Sequence, residues 1–147
     1  GEFTEAQRLE FVERRRKPLV EDGKNPAEMA PALARSLVGP DVAEDVYQRV
    51  VASISALHVD SYIKTIEATT HYDRSGVLAN ITVPTLVIGG EHDSLTPPAM
   101  KRELAARIQG AQLEILPDCG HMANMERPGP FNSVVLDFLN THRVRAR

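Results

Sequence analysis

The spacing of apolar residues divides the chain into two stretches with different periods. Residues 1–76 carry only helical signals. Thr4 followed three residues later by Gln7 predicts a capping box, and the helix it opens runs toward Pro18 with Leu9 and Val12 among its apolar positions. Asn25-Pro26-Ala27-Glu28 predicts a second start: Asn at the N-cap, Pro at the first helical position, Glu at the third. Met29, Leu33 and Leu37 then recur at spacing four until Gly39-Pro40. Asp41 with Glu44 opens a third helix, in which Val42, Val46, Val50, Ile54 and Leu57 fit the helical period. Asp60 opens a fourth, with Ile63 and Ile66. Each of these four short helices needs a neighbour to cover its apolar stripe.

Residues 77–147 alternate between strand and helix. Val83-Pro84-Thr85-Leu86-Val87-Ile88 is an apolar run ending at Gly89-Gly90, as expected of a strand covered on both faces. Pro97-Pro98 opens a helix with Met100, Leu104 and Ile108, closed by Gly110. Gln112–Leu116 reads as a second strand, followed by a loop. Phe131, Val134, Val135, Phe138 and Leu139 mark a final helix. The expected class is α/β, with a helical layer over 1–76 and strand–helix–strand–loop–helix over 77–147.

Two strands and one crossover helix do not make a self-sufficient sheet; three or more covered strands are usually needed. Val83, Leu86, Val87 and Ile88 would each contribute about 1.5–3 kcal/mol if fully buried, and one helix cannot bury them on both faces. The expectation is a sheet completed by another polypeptide, a second copy, or a longer parent.

Composition narrows the function classes. Over 147 residues, 17 Lys+Arg stand against 20 Asp+Glu, for a net charge of −3. That balance suits neither a phosphate backbone nor an anionic membrane, so neither a nucleic acid nor a membrane is expected as a partner. Trp is absent and aromatics are 5%, which argues against base stacking. One cysteine, Cys119, excludes an intrachain disulfide and fits a reducing, cytoplasmic setting. No apolar run approaches the roughly 20 residues of a membrane span, and GEFTEAQRLE has no signal-peptide core. The Arg14-Arg15-Arg16-Lys17 run reads as a solvated helix face near a C-terminus, where cations suit the dipole.

The candidate chemistry lies beyond the two strand ends. In open α/β sheets, reacting groups gather beyond the carboxyl ends of the strands. Asp93 follows the first strand in Gly89-Gly90-Glu91-His92-Asp93, and His121 follows the second in Pro117-Asp118-Cys119-Gly120-His121. Parallel neighbouring strands bring both tips to one edge. An Asp that accepts from one imidazole nitrogen fixes the tautomer and leaves the other nitrogen to take a proton from a nucleophile. His92 is expected to point away from the pair, and His58 and His71 to belong to the helical layer. His71, Asp73, His92, Asp93 and His121 match no zinc-binding spacing, so neither metal nor organic cofactor is expected. Cys119 reads as a small buried thiol. Leu95, Met122 and Met125 flank the pair, either as core packing or as an apolar wall for a substrate.

The residues Ile81–Asp93, Thr96-Pro97, Cys119-Gly120-His121-Met122 and Glu126-Arg127-Pro128 together resemble the C-terminal part of an α/β-hydrolase, most of all the 3-oxoadipate enol-lactonase and small-ester hydrolase group. The resemblance is densest over 77–140; residues 4–76 resemble the helical cap of that group. It implies a cap (1–76) and the last two core strands (77–147), with Asp93 as acid and His121 as base of a Ser-His-Asp relay acting on a small ester, lactone or related carbonyl substrate. It also makes Asp73 a structural residue leading back into the core. The group's Gly-x-Ser-x-Gly elbow and upstream oxyanion loop are absent. The nucleophile is therefore expected outside this chain, on an N-terminal half that would be its partner, and the chain alone is expected to be inactive. Carbon–carbon bond hydrolysis and a cofactor-free haloperoxidase-like activity are sister chemistries of the fold. The alternative is a non-catalytic piece that assembles through its open sheet edge.

Overall fold

The computed structural model describes residues 4–71 and 75–142, in the order α1 (Glu5–Val20), α2 (Pro26–Leu37), α3 (Glu44–Ser55), α4 (Val59–His71), a 3-10 helix (Ser75–Asn80), β1 (Leu86–Gly90), α5 (Pro98–Ala106), β2 (Gln112–Leu116), α6 (Ala123–Glu126) and α7 (Pro128–Thr141). Asp73 and Arg74, the side chain of His71 and residues 1–3 fall outside this description.

Both capping signals close as expected. Gln7 N–H donates to Thr4 Oγ1 while the Gln7 side chain receives the Thr4 N–H at 2.8 Å. Asn25 and Glu28 exchange the same pair of bonds, at 3.0 and 2.8 Å, at the head of α2. Each satisfies N–H groups that a helix start leaves without partners. α1 continues through Pro18 to Val20, because a proline in the last turn removes only one intrahelical bond. In α2 the buried line is Ala30, Ala34 and then Val38, one residue later than the Met29–Leu33–Leu37 stripe, which is only half-buried. α3 begins at Glu44, so Asp41 and Val42 precede it, while Val46, Val50 and Ile54 are buried as their period demands.

The chain forms two compact units. One comprises residues 1–35 and 47–76; the other comprises 36–46 and 77–147. In the first, α1 and α4 pack together and the Tyr47 hydroxyl donates to the Pro31 carbonyl at 3.1 Å. The second contains the sheet. β1 and β2 pair in parallel, with Leu86 opposite Gln112 and Gly90 opposite Leu116. α5 makes the crossover and packs on both strands, and α7 packs on β2. Leu116, Cys119 and Ala123 form one buried cluster of this unit, with Ile88, Phe131 and Val134 against them.

Three details depart from the sequence reading. β1 starts at Leu86, and Val83 is 65% exposed: its apolar run meets no neighbouring strand there. The loop after β2 contains a helical turn, α6, too short to show a period. On α5 the side facing inward is Lys101, Ala105 and the following Ile108, whereas Met100 and Leu104 are exposed. Two strands, and not a full sheet, are present among the described residues.

Candidate active site

The parallel register brings both strand tips to one edge. Beyond Gly90 the loops stay zipped: Glu91 N–H donates to the Leu116 carbonyl and His92 N–H to the Cys119 carbonyl, both at 2.9 Å. A side chain at Gly90 would collide with the Gly120 and Cys119 carbonyls, so glycine there allows the loops to touch backbone to backbone. Asp118 turns the chain with φ 53°, a left-handed conformation that Asp tolerates.

A strip of chain from the end of α2 fixes the outer side of both loops. The last carbonyls of a helix have no intrahelical partner. Here Ser94 Oγ donates to Ser36 O at 3.0 Å and His121 N–H to Leu37 O at 2.7 Å. Glu126, at the end of α6, closes the contact: its two oxygens accept from Gly39 N–H at 2.7 Å and Gly120 N–H at 2.9 Å.

Asp93 and His121, 28 residues apart in sequence, meet inside this frame. His121 Nδ1 lies 3.0 Å from Asp93 Oδ2. Asp93 is 4% exposed, and its other oxygen accepts from Leu95 N–H at 3.0 Å and Thr96 N–H at 2.9 Å. Oδ2 also accepts from Thr96 Oγ1 at 2.8 Å and Lys101 Nζ at 2.7 Å. Burial opposes ionisation of this carboxyl. The bonds from Lys101, Thr96 and His121 outweigh it and hold the group well below the usual carboxylate range. An ionised carboxylate only accepts, so Nδ1 carries the shared proton, and in the neutral ring Nε2 keeps its lone pair. That arrangement can take a proton from a nucleophile at Nε2 and stabilise the resulting imidazolium.

A cavity of about 140 Å³ opens at the pair, lined by Ile88, Gly89, Gly90, Asp93, Thr96, Lys101, His121, Ala123, Asn124 and Phe131. It is smaller than the roughly 300 Å³ at which ligand pockets begin. Leu95, Met122 and Met125 are not among its lining residues; Leu95 is exposed and gives its N–H to Asp93. His92 does not line the cavity; its Nε2 lies 3.9 Å from Glu91 Oε2. Glu91, His92 and Asp118 bring one ligand atom each within 4.8 Å of one another, all on exposed residues. His58 caps α4 through Ser61. Cys119 is fully buried, and burial, reinforced by the Glu126 charge, pushes its thiol pKa up. Sequence reasoning passed over Lys101, whose charge reads as a solvent position. It met Glu126 only within a motif and Thr96 only beside a proline.

The sequence pattern of the alpha/beta hydrolase fold matches residues 2–128. The chain belongs to the α/β-hydrolase family. Among curated hydrolases, the 2-hydroxy-6-oxononadienedioate/2-hydroxy-6-oxononatrienedioate hydrolase of Klebsiella pneumoniae is 38% identical over 84 residues, 56% of this chain and 29% of that protein. Hydrolase 2 of the same description from Pseudomonas putida is 32% identical over 103 residues, 67% of this chain and 36% of that protein. Among solved hydrolases, the enol-lactonase of Burkholderia xenovorans superposes with a TM-score of 0.78 at 32% identity, covering 88% of this chain and 49% of that one. A thermophilic esterase from Thermogutta terrifontis gives 0.85 at 20% identity, covering 97% and 53%, a likeness of fold. The chain thus spans about a third of the curated hydrolases it matches and about half of the solved ones. The fold class is that of a partial α/β-hydrolase. No helix among the described residues is long and apolar enough to cross a membrane.

Proposed function

We propose that this chain supplies the acid and base of a Ser-His-Asp relay in a capped hydrolase that cleaves a small ester, lactone or related carbonyl substrate. His121 takes the proton of the nucleophile at Nε2, Asp93 holds the ring through Nδ1, and the helices of the first unit serve as the cap. The serine and the oxyanion donors come from the N-terminal half of the hydrolase, the partner this chain requires, and no cofactor enters the chemistry. Leu95, Met122 and Met125 become apolar wall only once that half is in place. A single free cysteine suits a cytoplasmic setting.

The observation that carries this reading is the 3.0 Å contact between His121 Nδ1 and a buried, ionised Asp93 at the rim of a cavity. In support, an enol-lactonase and an esterase share the fold. Carbon–carbon bond hydrolysis is a sister activity, in keeping with the names of the curated relatives. A second reading, a non-catalytic piece that pairs through its sheet edge with another chain or a second copy, draws on the two-stranded sheet.

The test is made on the assembled hydrolase. A fluorophosphonate should label a serine of the N-terminal half, and His121→Ala should suppress labelling and lower turnover about 10²–10⁴-fold, the usual worth of a general base. An unchanged rate in His121→Ala, or an assembled protein that cleaves no ester, lactone or ketone-flanking carbon–carbon bond, refutes the proposal.

A further inference from the structure

Lys101 carries a charge to a place where a helix facing a sheet would ordinarily set an apolar side chain. Its side chain is 13% exposed. Nζ donates to Asp93 Oδ2 at 2.7 Å, to Thr96 Oγ1 at 2.8 Å and to the Thr96 carbonyl. The ammonium has three protons, so its donor capacity is filled. The methylene stem reaches this position by crossing Gly89, where any Cβ would collide with Lys101 Cδ and Cε. The absent side chain at 89 and the long one at 101 are thus complementary.

The same oxygen, Oδ2, serves both Lys101 and His121. Thr96 Oγ1 accepts from the ammonium, so its single proton is left for Oδ2. The orientation of a carboxylate about its last torsion is soft, and its hydrogen bonds decide where each oxygen lies. Lys101 adds the charge-assisted bond among those that reach Oδ2 from the α5 side.

We propose that Lys101 is a positioning residue: its ammonium ties Asp93 Oδ2 to α5 and so fixes the oxygen that receives the His121 Nδ1 proton. This rests on the relay proposed above and adds to it a residue that acts through Asp93.

Timed acetylation of the 147-residue chain, read by peptide mass mapping, tests the tie. Lys24 and Lys64 are exposed and serve as internal standards. Lys101 should react about ten-fold more slowly than either, the factor that about 1.4 kcal/mol of charge-assisted bonding gives. In Asp93→Asn, and in Gly89→Ala, which blocks the path of the stem, that protection should weaken measurably. Equal labelling of the three lysines in the native sequence overturns the proposal. So does a Lys101 labelling rate unchanged in Asp93→Asn, because burial and the Thr96 bonds then explain it. The positioning role is read separately from the low-field Nδ1 proton resonance of His121. Lys101→Met should shift or abolish that resonance and Lys101→Arg should keep it; a resonance unmoved in Lys101→Met overturns the role. Where Lys101→Met does not fold, Gly89→Ala gives the same readout. None of these measurements needs turnover, so their failure and the failure of the hydrolase reading are distinguishable.

Discussion

Glu126 offers the most direct handle on what holds the histidine loop. Its carboxylate bridges two buried glycine N–H groups, Gly39 at 2.7 Å and Gly120 at 2.9 Å, from segments more than 80 positions apart. Glu126→Gln keeps the shape and replaces one oxygen by an NH₂ group. One glycine N–H then retains a neutral acceptor, and the other faces a donor. A hydrogen bond to a charged acceptor contributes about 1.5–3 kcal/mol and a neutral one about 1 kcal/mol. Losing the first kind at one glycine and weakening it at the other costs about 2–5 kcal/mol. Urea unfolding should show the loss as a lower midpoint at unchanged slope. Amide exchange should locate it: the Gly39 and Gly120 N–H groups should exchange at least about ten-fold faster, while the amides of β1 and β2 keep more of their protection. A stability change below about 0.5 kcal/mol, with exchange at the two glycines unaltered, would refute the bridging role.

Asp93 makes stability depend on acid. Its folded-state pKa is depressed, so its contribution is fully present above the ordinary carboxylate value of about 3.9 and is lost as pH falls below it. Asp93→Asn should therefore be less stable than the parent at neutral pH, and the gap should close on acidification; a gap constant down to pH 2 contradicts the assignment. Cys119 is fully buried, its thiol lies 3.5 Å from the Leu116 carbonyl, and its pKa is raised, so an aromatic disulfide reagent should leave it untouched in the native chain and label it in urea. Native labelling at the rate of a free thiol would show that the core around Leu116 is open.

The fold was legible where local physics decides it. The caps at Thr4 and Asn25 and the strand Gln112–Leu116 appear where their side chains demand. The meeting of Asp93 and His121 was legible as topology, since parallel strands place their tips together. What stayed hidden depends on contacts remote in sequence. Leu86, and not Val83, begins β1 because a strand exists only where another pairs with it. Lys101 points inward because an anion waits there, and no periodicity in α5 announces an anion on a neighbouring loop. Glu126 bonds Gly39 across 87 positions, a distance over which no motif extends.

The strip from Ser36 to Gly39 has a consequence for anyone who wishes to exchange the helical part for that of a relative. It runs between the end of α2 and the start of α3, yet its carbonyls are bonded to the loops that carry Asp93 and His121 and its amide to Glu126 of α6. A graft that replaces everything ahead of residue 77 would discard those bonds along with the helices. The seams belong after Arg35 and before Tyr47, so that the eleven residues between them travel with the sheet.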